Sequence, residues 1–143
     1  MSMEYDLRGW VDLGLPSGKL WCFDNEEGYF TFDEAVEKFQ DQLPTIEDWQ
    51  ELFAECEIKR KYDKIYGDGI EFIATNGNKL FLPFAGRYVN SIYDLQCGGY
   101  YWADKKTITG TPVCVHIDDS NYEAVESIVT KNWCASVRLI KTE

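Results

Sequence analysis

Apolar positions recur with the period of a helix along residues 31–56 and with the period of a strand along residues 70–84, and this change of period divides the chain. Thr31 with Glu34 forms a capping box, and Phe32, Ala35, Val36 and Phe39 follow at i, i+3, i+4 and i+7, which predicts an amphipathic helix over about residues 31–40. Thr45, preceded by Pro44, opens a second helix with Asp48 in its first turn. Its apolar face is Ile46, Trp49, Leu52, Phe53 and Cys56. Glu47, Asp48, Glu51 and Glu55 are expected to face water, a solvated stripe rather than a carboxylate site. Lys59-Arg60-Lys61 then reads as the solvated end of this helix, where cations complement the negative pole.

Before the helices, Trp10–Leu15 and Lys19–Phe23 are short β-type runs separated by the turn-forming Pro16-Ser17-Gly18. After them, Ile70–Thr75 and Asn78–Phe84 flank Asn76-Gly77, a pair that predicts a two-residue type I′ hairpin. Pro83 places the second of these strands at an edge or at its end. The chain reads as irregular through Gly86–Asp94, then as strands near Gly99–Ala103, Pro112–Ile117, Glu123–Thr130 and Trp133–Ile140. Two helices followed by a strand-rich half, without a βαβ repeat, predict an α+β fold with mostly antiparallel sheet. No repeat or Pro/Gly/Ser linker divides residues 1–143, so a single domain is expected; at this length it buries roughly two-thirds of the surface its unfolded chain exposes.

Charge changes this picture. The net charge is −11, and residues 1–58 hold fifteen acids against three bases, whereas residues 59–143 are close to neutral. Such a surface argues against nucleic acid or an anionic membrane as the partner, because phosphate recognition needs clustered Lys and Arg. The start of the chain lacks the layout of a signal peptide.

Candidate chemistry is sparse. Five cysteines without a Cys-x-x-Cys pair indicate neither a disulfide framework nor a zinc site, and free, mostly buried thiols are expected. His116, the one histidine, lies between Val115 and Ile117 and reads as a half-buried strand residue rather than a base. No catalytic triad, phosphate-binding loop or metal cluster is apparent, so neither an enzyme nor a cofactor is predicted. Aromatic residues supply the alternative: 15% of the chain is Phe, Trp or Tyr. Tyr88, Tyr93, Tyr101, Asp104, Tyr122 and Trp133 are the candidate ligand-binding residues, as rigid anchors with polar neighbours. Trp102 and Trp133 adjoin strand patterns, which favours the core for both. The tyrosines are evenly balanced between core and contact.

Five blocks then carry a family resemblance. Val11–Gly18 with Leu20-Trp21, Leu43-Pro44-Thr45 with Trp49 and Leu52, Asn76–Gly86, Gly99–Trp102, and Ser136–Leu139 resemble, in order and approximate spacing, the Fibrobacter succinogenes-type major paralogous domains of Bacteroidetes. Three features depart from the family pattern: the brief Cys22–Gly28 segment, Ala103-Asp104-Lys105 where a Ser-Ser-Thr is common, and no visible export signal. The resemblance implies a C-type lectin-like fold, with paired N- and C-terminal strands, two helices flanking the sheet, and a long-looped second half that displays a ligand face within residues 86–134. Relatives with that fold include bacterial surface proteins and phage receptor-binding proteins, some diversified by retroelements.

Calcium-dependent lectins of the fold use a Glu-Pro-Asn or Gln-Pro-Asp loop and a Trp-Asn-Asp strand, neither of which occurs here. Asp118-Asp119 with Asn121 reads as a polar loop only, and calcium is not predicted. Formylglycine-generating relatives depend on reactive cysteines, and Cys97 is the most plausible exposed thiol, without a Cys or His beside it to lower its pKa. The expectation is thus a non-catalytic module recognising a protein or glycan ligand through its C-terminal half, at a bacterial or phage surface. The alternative is a structural or decoration protein of a phage virion or other assembly, with protein partners only.

Overall fold

A computed structural model describes residues 9–89, 91–93, 95, 97–106, 111–118 and 133–142. Strands β1 (Trp10–Val11) and β2 (Leu20–Cys22) pair antiparallel around the Pro16-Ser17 turn, in which the Gly18 N–H donates to the Leu15 carbonyl at 2.9 Å. Helices α1 (Phe32–Phe39) and α2 (Ile46–Glu55) follow, joined by a 3-10 turn at Gln40–Gln42. The antiparallel sheet β3 (Cys56–Asp63), β4 (Gly67–Ala74) and β5 (Lys79–Pro83) comes next, then the small pair β6 (Arg87–Tyr88) and β7 (Ile92–Tyr93). The long hairpin β8 (Gly98–Lys106) and β9 (Pro112–Asp118) precedes the terminal β10 (Ile140–Lys141), which pairs with β2 through Ile140 opposite Trp21. The described residues form a small α+β domain with two α-helices and mostly antiparallel sheet. Among the described residues no helix is long and apolar enough to cross a membrane.

Both helices begin as the sequence predicts, with complete capping boxes at Thr31/Glu34 and Thr45/Asp48. Asp48 departs from the expected solvated stripe. It is buried, because one carboxylate oxygen accepts the Thr45 N–H at 2.9 Å while the other meets the Lys19 ammonium at 2.6 Å. Glu51 is likewise engaged, accepting from the Ser17 N–H and hydroxyl at 2.9 and 2.7 Å and so tying the β1–β2 turn to α2.

Lys59-Arg60-Lys61 is not a helix end. The helix stops at Glu55, and these residues form the middle of β3, on an edge of its sheet. Lys on an edge strand discourages pairing with another chain. Here Lys61 also reaches the Glu71 carboxylate at 2.9 Å, and Arg60 reaches Asp68 at 3.2 Å across the ladder. The Asn76-Gly77 hairpin is present, but its loop has three residues rather than two. Ala74 accepts the Gly77 N–H and donates to Asn78, and only Gly77 has positive φ, at 92°, as in a type I turn closed by a glycine bulge. Asn76 escapes the left-handed region, and its side-chain amide donates to the Asp12 carbonyl at 2.9 Å, docking β1 against the hairpin.

Hairpin β8–β9 is the central layer. Tyr101, Ala103, Val113, Val115 and Ile117 face one cluster with Trp21, Trp49, Leu52, Phe72 and Leu82. Trp102 and Cys114 face a second cluster with Phe32, Ala35, Phe39 and the returning segment Trp133–Leu139. Successive residues of a strand point to opposite faces, so a strand covered on both sides buries every side chain in turn. The predicted strand Trp133–Ile140 is realised only as bridges from Cys134, Ala135 and Ser136 plus β10. The predicted strand Glu123–Thr130 lies outside the described residues.

Candidate functional site

A cleft of about 580 Å³ opens where the chain leaves β2. Its first wall is the loop Phe23–Tyr29, a run of acids and aromatics held by backbone bonds from Phe23 to Gly9 at 2.8 Å and from Glu26 to Val137 at 2.9 Å. Facing it is the tight β3–β4 turn. There Asp63 accepts the Ile65 and Tyr66 N–H groups at 2.9 and 3.0 Å, a local carboxylate-to-backbone closure favoured by Asp. The two walls touch where the Tyr66 hydroxyl donates to the Asp24 carboxylate at 2.8 Å. Phe81 and Pro83 of β5, with Ser136 and Arg138, make the floor.

Arg138 organises that floor. It is 1% exposed, and its guanidinium donates through Nε to the Asn25 side-chain oxygen at 2.8 Å, through one terminal nitrogen to the Cys22 carbonyl at 3.2 Å, and through the other to the Phe81 carbonyl at 2.8 Å. It thereby joins the loop, the β1–β2–β10 sheet and the β3–β4–β5 sheet. Asn25 passes the connection on, its amide donating to the Tyr101 hydroxyl at 3.2 Å, which itself donates to the Pro83 carbonyl at 2.7 Å. Burial pulls the Arg138 pKa below the ordinary arginine value, with nearby Tyr101, Cys22 and Asp24 opposing that shift. The two backbone N–H donors hold Asp63 below the usual carboxylate range, and the Asp24 contact raises Tyr66. At neutral pH the first is therefore an anion and the second a neutral hydroxyl.

The six residues singled out in the sequence scatter across this fold. Tyr101 is not at the surface: it is 0% exposed, because the pleat of β8 turns it into the first core cluster against Trp49. Trp133 is also corrected to the core, at 7% exposure, packed edge-on against Tyr100 and Trp102. Tyr88 and Tyr93 are exposed and adjacent on the β6–β7 pair, where the Arg87 guanidinium lies over the Tyr93, Tyr100 and Trp133 rings at 5.5–5.8 Å. Asp104 is exposed but lines a separate hollow with Lys19, Asp48 and Lys141. Tyr122 lies outside the described residues. Of the described candidates, the exposed Tyr88 adjoins the cleft by stacking at 6.1 Å on Tyr29 of its wall, and the buried Tyr101 reaches it from below through Asn25 and Pro83.

Sequence reasoning missed Phe23, Asn25, Tyr66 and Arg138. Two signals were present: the dense acidic and aromatic run between two predicted elements, and a lone arginine inside the apolar stretch Ala135–Ile140. Elsewhere, His116 is half-buried and stacked on Tyr100 at 4.4 Å. None of the five cysteines is in a disulfide, Cys97 being exposed and Cys22 and Cys114 buried. Among the described residues no group of three His, Cys, Asp or Glu is placed to hold a metal ion.

The Tyr101 hydroxyl makes stability pH-dependent. Burial pushes its pKa from 10.0 up to about 12. The unfolded chain ionises this group first, so its contribution is complete below pH 10 and is lost as the pH rises towards 12. Over that window the loss approaches about 2–3 kcal/mol by linkage. Urea unfolding at pH 9.5 and 11.5 should show a smaller alkaline drop in Tyr101→Phe than in the wild type, and an identical drop would refute this assignment.

Compared with protein-family models, with curated proteins and with solved structures, the chain matches none.

Proposed function

We propose that this protein is a non-catalytic binding module that recognises a protein or glycan ligand, with the cleft between the Phe23–Tyr29 loop and the β3–β4 turn as its contact site. The observation that carries this is a clustering of exposed apolar groups. Phe23, Ile65, Tyr66 and Leu95, exposed at 52, 83, 44 and 50%, all line this one cleft. Large exposed apolar side chains gathered at a concave site are the usual mark of a contact surface. The engaged state of its polar groups favours binding over catalysis: Asp63 is occupied by two N–H donors, and Asp24 is tied to Tyr66.

The fold proposed with this reading is C-type lectin-like, of the Fibrobacter-type paralogous family. Support comes from the five sequence blocks and from the pairing of β2 with the C-terminal β10. A labelled protein applied to glycan and peptide arrays is expected to give at least one ligand that Phe23→Ala combined with Tyr66→Ala loses, with an unchanged circular dichroism spectrum. No ligand on either array, or undiminished binding by the variant, rejects the site.

A second reading, a structural or decoration subunit with protein partners, is favoured by the exposed Tyr88, Ile92 and Tyr93 of β6–β7. Sedimentation equilibrium separates the two. Self-association that Ile92→Ser abolishes supports the assembly reading, and a monomer at high concentration removes it.

A further inference from the structure

We propose that the group seated in this cleft is a cation, the ammonium or guanidinium of a basic segment on a partner protein; the inference rests on the binding-module reading above. Three observations converge. Among the described residues the walls carry four carboxylates, Asp24, Glu26, Glu27 and Asp63, whereas the single cation of the lining is Arg138. That cation is buried in the floor at 1% exposure, and each of its three nitrogens already donates to a protein acceptor, so it presents no free fork to an anion. The same lining holds the rings of Phe23, Tyr29, Tyr66 and Phe81. An aromatic face attracts a cation through its quadrupole, and a concave site of one charge sign between low-dielectric walls concentrates the opposite sign.

The charge of the cleft is not merely that of the surface around it. Asp24 and Asp63 are held in place, the first by Tyr66 and the second by its own turn, whereas Glu37 and Glu47 stand exposed on the helices. A basic segment also suits the apolar rim, because Lys and Arg carry long apolar stems beneath their charged heads. Phe23 and Ile65 would cover those stems while the carboxylates take the heads.

The test is titration of the ¹⁵N-labelled protein with tetralysine, tetraglutamate and a neutral tetrasaccharide, followed by amide chemical shifts. Tetralysine is expected to move residues 23–29 and 63–66, with an affinity that falls as NaCl is raised. Asp24→Asn combined with Glu27→Gln should weaken it about tenfold, whereas the charge-matched Glu37→Gln with Glu47→Gln should leave it within about twofold. Equal weakening by both pairs, or shifts spread over α1 and α2, would mean diffuse attraction to an acidic protein and overturn the proposal. Tetraglutamate or the tetrasaccharide shifting the cleft in place of tetralysine overturns the cation and leaves the binding module standing. No probe at the cleft, together with silent arrays, overturns both.

Discussion

Replacing Arg138 by alanine is expected to destabilise the protein by about 3–5 kcal/mol and to lower its melting temperature by roughly 10 °C. The loss has two parts. The carbonyls of Cys22 and Phe81 and the side-chain oxygen of Asn25 lose their donors at once, and a buried acceptor left unpaired costs on the order of 1–3 kcal/mol. The void left by the side chain adds a packing cost. Arg138→Met isolates the first part, because it refills most of the volume and restores no donor. It should recover less than half of the loss. Arg138→Lys should also fall short, since the three N–H groups of an ammonium radiate from one atom and do not reproduce the spread of three separate guanidinium nitrogens, and an ammonium is harder to desolvate. If Arg138→Met unfolds at the wild-type urea concentration, the hydrogen bonds contribute nothing and the structural role given to Arg138 is wrong.

Trp102→Ala is the second large effect, at about 3–5 kcal/mol. Trp102 is 1% exposed, meets the Phe32 and Trp133 rings edge-on at 5.5 and 5.6 Å, and donates its indole N–H to the Phe30 carbonyl at 2.6 Å. It therefore joins the central hairpin to α1 and to the returning C-terminal segment together. Trp102→Phe keeps part of the ring packing and removes the donor, and a loss of about 1–2 kcal/mol is expected. Chemical denaturation followed by circular dichroism measures both. A shift of less than about 1 kcal/mol for the alanine variant would show that the second cluster is peripheral to folding.

The two helices were legible because capping and periodicity are local: Thr31 with Glu34 and Thr45 with Asp48 announce their starts within four residues. Strand β3 was not legible. Its Lys59-Arg60-Lys61 centre imitates a solvated helix end, and what makes it a strand is the register against β4, which pairs Arg60 with Ile70 and places Lys61 near Glu71. The loop at Asn76-Gly77 was identified in place but not in type, since its length depends on the bond between Ala74 and Gly77. At the candidate site the difficulty was different. Composition marks Tyr101 and Tyr88 alike, and only the burial of β8 on both faces distinguishes them. Asn25 and Arg138 are 113 positions apart, and nothing short of the fold brings them to 2.8 Å.

The division of the cleft into a buried floor and an exposed rim also bears on how such a protein changes over generations. Arg138, Asn25 and Tyr101 are bound into the folding cooperativity of the molecule, so substitutions there are filtered by stability before any effect on a ligand is felt. Phe23, Glu27 and Ile65 stand clear of the core, and exchanging them costs the fold little. Selection can therefore rewrite the rim one residue at a time on a constant foundation. The same separation makes these three positions the natural ones to randomise in a library intended to yield new specificities from this scaffold.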